Sequence, residues 1–216
     1  MACRRRIVLA GLALLAAPLF PIAVARAAEL QEGRDFRRIN PPIGADAGRI
    51  EVVEFFWYGC PHCNELEPHI AAWLRKLPAD VSFRRVPAVF PNSPKWAPGA
   101  RTYYALEAMN LLDRLHADVF AAIHVERRRL DDEKVLLEWI TGKGVDARDF
   151  LAAWSSFGVQ SRVRQALEIS RRAGLTGVPA IVVDGRYEVR MTENLRDLPG
   201  ATERLIERAR SERGRK

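Results

Sequence analysis

Cysteine is scarce in this chain of 216 residues: only Cys3, Cys60 and Cys63. There is no second C-x-x-C pair and no H-x-x-x-H, and the histidines at 62, 69, 116 and 124 are scattered. A structural metal site takes about four Cys or His ligands at paired spacings, so no metal is expected. A disulfide-stapled scaffold is equally disfavoured. A bridge across two intervening residues constrains the unfolded chain little, and a chain of this length builds its own core. Repeats and low-complexity segments are absent apart from an apolar N-terminal stretch and a charged tail. The formal net charge of +7 looks basic, but Arg4, Arg5, Arg6 and Arg26 fall in the first 27 residues, which hold no acid. Without them the balance is about +3. The remaining basic runs, Arg127-Arg128-Arg129 and the tail RARSERGRK, are interleaved with or followed by acids. They read as solvated helix faces, and no nucleic-acid partner is expected.

The N-terminus has three parts: a basic patch at Arg4–Arg6, an uncharged run over 7–25, and small residues at Ala25 and Ala27 around Arg26. That is the layout of a secretory signal, with cleavage near Ala27. The rival is a retained membrane helix, since about 20 apolar residues span a bilayer. Pro18 and Pro21 interrupt the run, and the small-residue site follows at once. Cys3 precedes the apolar stretch, so it is not a lipid-attachment site and leaves with the signal. The mature chain, 28–216, is long enough for one domain or a domain with an insertion.

Two cysteines then remain, both in FFWYGCPHC at 55–63. With metal binding and a structural crosslink disfavoured, redox chemistry is the leading expectation. The stretch RIEVVEFFW, 49–57, is rich in β-branched and aromatic residues and predicts a buried strand. Tyr58 and Gly59 form a turn. PHCNELEPHIAAWLRKL, 61–77, has apolar residues at helical spacing and predicts a helix with Pro61 at its first position, where no amide is missed. Pro68 is expected to kink or interrupt it. VSFRRVPAVF, 81–90, returns as a strand, which makes a β-α-β unit with the cysteines at the first strand-to-helix turn. Cys60 then sits where unpaired amides and the helix dipole favour a thiolate, and His62 adds to that. Cys63 follows one turn later, within reach of a disulfide. Glu65 and Glu67 are expected to be solvent-facing residues of the first turn. Glu54 lies inside the strand. On a central strand its carboxyl would be buried with a raised pKa, and on an edge it would sit in water.

CPHC behind an aromatic strand resembles the DsbA family of exported thiol–disulfide oxidoreductases. AWSSF at 153–157 and GLTGVPAIVVDGRY at 174–187 are similar to the second half of that family, in the same order. The resemblance implies an α/β thioredoxin fold with an inserted all-helical domain. The expected parts are a signal at 1–27, a discontinuous thioredoxin-like domain at 28–91 and 159–216, and helices at 92–158. In those helices, residues such as Leu106 and Ile140 are expected in the core, and His116 and His124 on the surface or satisfied by neighbours. Val178-Pro179, after Gly177, precedes the strand AIVVD, and Asp184-Gly185 turns it into a hairpin. Taken alone, the X-Pro bond would be trans. The resemblance implies that it is cis, packs beside the cysteines, and offers backbone to an extended substrate. Valine before the proline resembles the oxidase branch. The family's buried acid near the second cysteine matches Glu54, with a proton-relay role.

The resemblance further implies a monomer in the periplasm, without organic cofactor beyond the redox-active Cys60–Cys63 disulfide. Its partners would be reduced exported polypeptides and a quinone-linked membrane oxidase of the DsbB type. Two alternatives stay open: a reductase or isomerase using the same site, and a metal- or peptide-binding module without turnover.

Overall fold

The structure, a computed structural model, describes residues 30–46, 48–190 and 194–214. The expected signal, its cleavage near Ala27 and Cys3 lie outside them. Five strands form one mixed sheet in the order β1-β5-β4-β2-β3. They are β1 (Phe36–Arg38), β2 (Ile50–Phe56), β3 (Val81–Pro87), β4 (Ala180–Val183) and β5 (Tyr187–Val189). Only β2 and β3 are parallel, with Glu54 opposite Arg85 in the register. β4 pairs antiparallel with β2 and β5, and β1 closes the edge against β5. The three-residue β1 is not legible in the sequence, because FRR has no alternation long enough to mark it.

Helix α1 (Pro61–Leu74) connects β2 to β3. It turns Cys63, Leu66, Ile70 and Trp73 inward, a stripe spaced as one helical face requires. It stops three residues short of the expected end, so Leu77 packs from the following turn. Pro68 does not interrupt it. Pro68 lies on the exposed side, where water can serve the carbonyl it leaves unpaired. Strand β3 ends at Pro87, not at residue 90.

Five helices separate β3 from β4: α2 (Ala97–Ala108), α3 (Leu112–His124), α4 (Glu133–Gly142), α5 (Ala147–Ser155) and α6 (Phe157–Arg172). Asp132, Asp146 and Ser156 cap the last three with side-chain hydrogen bonds to first-turn amides. The chain passes from 158 to 159 inside α6. Helix α7 (Leu198–Arg213) ends the fold.

Alternation along the strands divides the core. Val52, Ile181 and Val183 meet α1 and α7 on one face. Val53, Phe55, Ala180 and Val182 share the other face's core with Leu106, Phe120, Ile140 and Phe150 of the intervening helices. Sheet and helical segment therefore share one apolar interior. The hairpin between β4 and β5 turns on Asp184 and Gly185, both at positive φ (55° and 64°), as the two central residues of a type I′ turn demand, and the Arg186 amide closes that turn on the Val183 carbonyl at 3.0 Å. A Cβ on Gly185 would lie 1.9 Å from the Ile43 carbonyl oxygen, so the position needs glycine for space as well.

Candidate active site

Strand β2 aims the chain at α1, and the turn between them carries the first cysteine. Cys60 is the N-cap of α1, with extended backbone (φ −89°, ψ 118°), and Pro61 follows inside the first turn. Its amide donates to the Trp57 carbonyl at 2.9 Å, which closes the turn. Cys60 is 9% exposed and Cys63 is 0% exposed, and both are free thiols. The pair is strongly unequal. The Cys60 thiol is lowered to about 6. The largest cause is the hydrogen bond from the Cys63 side chain, joined by the amides of Cys63 and His62 and by the His62 charge, all against the cost of burial. Burial pushes the Cys63 thiol far up, and the neighbouring Cys60 and the Glu54 charge add to that.

The Val178–Pro179 peptide is cis, as the resemblance implied. Pro179 is buried and Val178 half-buried. The Cys60 thiol donates to the Val178 carbonyl at 3.5 Å, which sets this turn against the first cysteine. Gly177 is exposed, and a Cβ there would meet nothing within 4 Å. The site therefore brings together Cys60, Pro61, Cys63, Val178 and Pro179. His62 and Gly177 lie at its rim. His62 is exposed, with Nδ1 3.2 Å from Glu65, itself exposed as expected.

Glu54 is fully buried, which rules out the edge position left open by the sequence. Its Oε2 lies 3.0 Å from Arg85 Nε, but off the hydrogen-bond line, so neither carboxylate oxygen has a hydrogen-bond partner. Desolvation raises this carboxyl to about 7, against the pull of Arg85.

Glu67 corrects the sequence expectation. It does not face solvent, because one α1 turn past Cys63 it points back over the sheet. It pairs with Arg85 at 3.0 Å and with His116 of α3 at 3.2 Å. Burial pushes Glu67 up, but its bonds to His116 and Arg85 outweigh that and hold it below the usual carboxylate range. Desolvation lowers His116 despite Glu67, and burial keeps the Tyr58 phenol protonated. The polarity of the chain follows. Tyr58 O–H donates to His116 Nδ1 at 2.8 Å, and His116 Nε2–H donates to Glu67. His124 Nε2 reaches the Tyr58 carbonyl at 2.7 Å. Both histidines are satisfied by neighbours, as expected, yet they tie α3 to the turn that carries Cys60. The sequence did hold a signal for Arg85. A charge in a strand beside a buried acid asks for a partner. His116 has no such signal, because only the fold brings position 116 to position 67.

Comparisons with known proteins identify the family and the fold. A family model described as a DSBA-like thioredoxin domain matches residues 51–202. The thiol:disulfide interchange protein DsbA of Bordetella parapertussis is 42% identical over 180 residues, 83% of each chain. That of Pseudomonas aeruginosa is 39% identical over 172 residues, 79% of this chain and 80% of its own. The crystal structure of Pseudomonas aeruginosa DsbA superposes with a TM-score of 0.79 at 35% identity, covering 84% of this chain and 95% of its own. That of Xylella fastidiosa DsbA gives 0.78 at 33% identity, with 84% and 98% covered.

Proposed function

The chain belongs to the DsbA-like thioredoxin domain family and is a protein thiol:disulfide oxidoreductase, and from that premise we propose that it donates its Cys60–Cys63 disulfide to reduced exported polypeptides. The observation that carries the direction is the inequality of the two thiols. A stabilised Cys60 thiolate stabilises the reduced protein, which makes the disulfide form the stronger oxidant, a relation for which DsbA itself is a known example.

In the proposed sequence a substrate thiolate attacks Cys60 Sγ. The Cys60–Cys63 bond breaks and its electron pair leaves on Cys63. A second substrate thiolate attacks the substrate sulfur of the mixed disulfide, and Cys60 leaves as a thiolate. The substrate loses two electrons and the protein holds them as a dithiol. Cys60 is the better leaving group because its pKa is low. Cys63 is a poor one unless protonated as it departs, and Glu54, titrating near neutrality below it, is the proposed proton source. The cis-proline turn presents backbone beside Cys60 for an extended substrate.

Return to the disulfide needs an electron acceptor, for which we propose a quinone-linked membrane oxidase. The expected leader places the work in the periplasm, with a monomer as the working form and no organic cofactor. Equilibration with glutathione followed by thiol trapping tests the direction. A strongly oxidising potential supports donation, whereas one near that of a thioredoxin reverses it and makes the protein a reductase.

A further inference from the structure

Next to the Cys60 turn lies a cavity of about 420 Å³. Trp57 and Gly59 form one wall, and Val119, Ile123 and Leu130 line its apolar floor. No residue of the turn at 174–179 lines it. The Trp57 ring stacks on Trp96 at 4.5 Å, nearly parallel. Gly59 leaves it room, because a Cβ there would stand 2.4 Å from the indole.

The mouth is cationic. Lys95 Nζ stands 5.5 Å from the Trp57 ring centre, and Arg127 follows the end of α3. Arg128 and Arg129 are paired with Glu126 and Asp131. Among the described residues the side chains of Lys95 and Arg127 have no carboxylate partner. Arg127 has φ +57°, a conformation uncommon outside glycine. The loop is nonetheless fixed: the amides of Glu126 and Arg128 donate to carbonyls at the end of α3, and Leu130 is buried.

We infer that this cavity is a subsite for the polypeptide joined to Cys60. It takes an apolar side chain on one flank of the substrate cysteine, and Lys95 and Arg127 meet a carboxylate next to that side chain. Gly59 borders the cavity and is bonded to Cys60, so a chain attached to Cys60 reaches the mouth within about one or two residues. One flank pairs with the cis-proline turn, and the other enters the cavity. The charge complementarity selects acidic over basic segments. This rests on Cys60 being the thiol that carries substrate, whichever way electrons flow.

The test uses a C63S variant and peptides whose single cysteine is activated as a disulfide with a coloured aromatic thiol. Cys60 thiolate attacks the peptide sulfur, the mixed disulfide forms, and the aromatic thiolate is released and read by absorbance. Leu-Asp-Glu is compared with Leu-Lys-Lys on either flank. The expected result is about fivefold faster capture of the acidic peptide on one flank only, the size two exposed ion pairs allow, fading in high salt. R127G, whose residue suits the backbone, combined with K95Q narrows the ratio to under about twofold, and R127K restores it. Equal rates, or a preference on both flanks that R127G and K95Q leave intact, overturn the subsite. The glutathione equilibrium of the unsubstituted protein is separate and judges the direction of transfer alone.

Discussion

Glu54 and Arg85 face each other across adjacent parallel strands, 3.0 Å apart, in the buried layer beneath Cys63. Arg85 also holds Glu67, so one guanidinium serves two carboxylates of unequal state. Glu67 is kept ionised and Glu54 sits near half-titration at neutral pH. The proposed exchange depends on that difference, because a group that titrates near the working pH can both give and take a proton.

E54Q is therefore expected to slow oxidation of a reduced peptide by about a hundredfold, the low end for loss of a general acid or base acting next to the reacting atoms. The fold is expected to persist, since Arg85 keeps Glu67. Stopped-flow rates unchanged from those of the unsubstituted protein would remove Glu54 from the relay.

The same group sets a pH dependence of stability. Its folded pKa, about 7, is above the ordinary glutamate value, so the folded state binds the extra proton between the two. The stabilisation is complete below about pH 4.3 and is lost as pH rises to about 7. Glu67 acts oppositely: its stabilisation exists above the ordinary value and is lost on acidification. Urea midpoints measured from pH 4.5 to 7.5 should decline less steeply in E54Q. Parallel curves would show that Glu54 ionises freely in the fold.

Cys60 should titrate near pH 6 when thiolate absorbance is followed in the reduced protein. Its folded pKa is depressed, so the reduced form is stabilised most above the ordinary thiol value, and that advantage disappears as pH falls through 6. C63A removes the strongest hydrogen bond to the thiolate and is expected to move the titration upward. A midpoint that stays at 6 in C63A would assign the depression to the helix amides and His62.

H116A vacates a buried site and leaves Tyr58 and Glu67 without their partner. A loss of about 2–5 kcal/mol is expected from the cavity and the stranded polar groups together. Y58F alone should cost about 1 kcal/mol. The double variant should cost less than the sum, since both changes break one network. Denaturant titrations of the three proteins decide this, and strict additivity would mean that the bond between the rings carries no stability.

Much of this was legible beforehand, and the gaps have physical causes. The strand 50–56, the cysteines at a helix start and the Asp184-Gly185 hairpin follow from local rules: periodicity, capping and turn chemistry. Glu67 lies in the second turn of α1, not the first, and an acid there looks solvated until a strand arginine and an α3 histidine are known to cover it. Trp57 and Tyr58 are neighbours in sequence with opposite fates. Tyr58 is buried against Phe56 and Phe120, while Trp57 stays half-open over the cavity. Nothing local separates them, because the helices that decide their burial arrive 40 to 70 residues later.

The burial of Cys63 gives the proposed cycle a clock. Burial, the largest cause of the rise at Cys63, persists when Cys60 is joined to a client, so this thiol is seldom a thiolate and is slow to turn on the mixed disulfide and eject it. Release then waits for the client's own second cysteine. A client with one cysteine occupies the protein until an outside thiol arrives, so turnover in a mixed population is governed by how many single-cysteine chains pass through it.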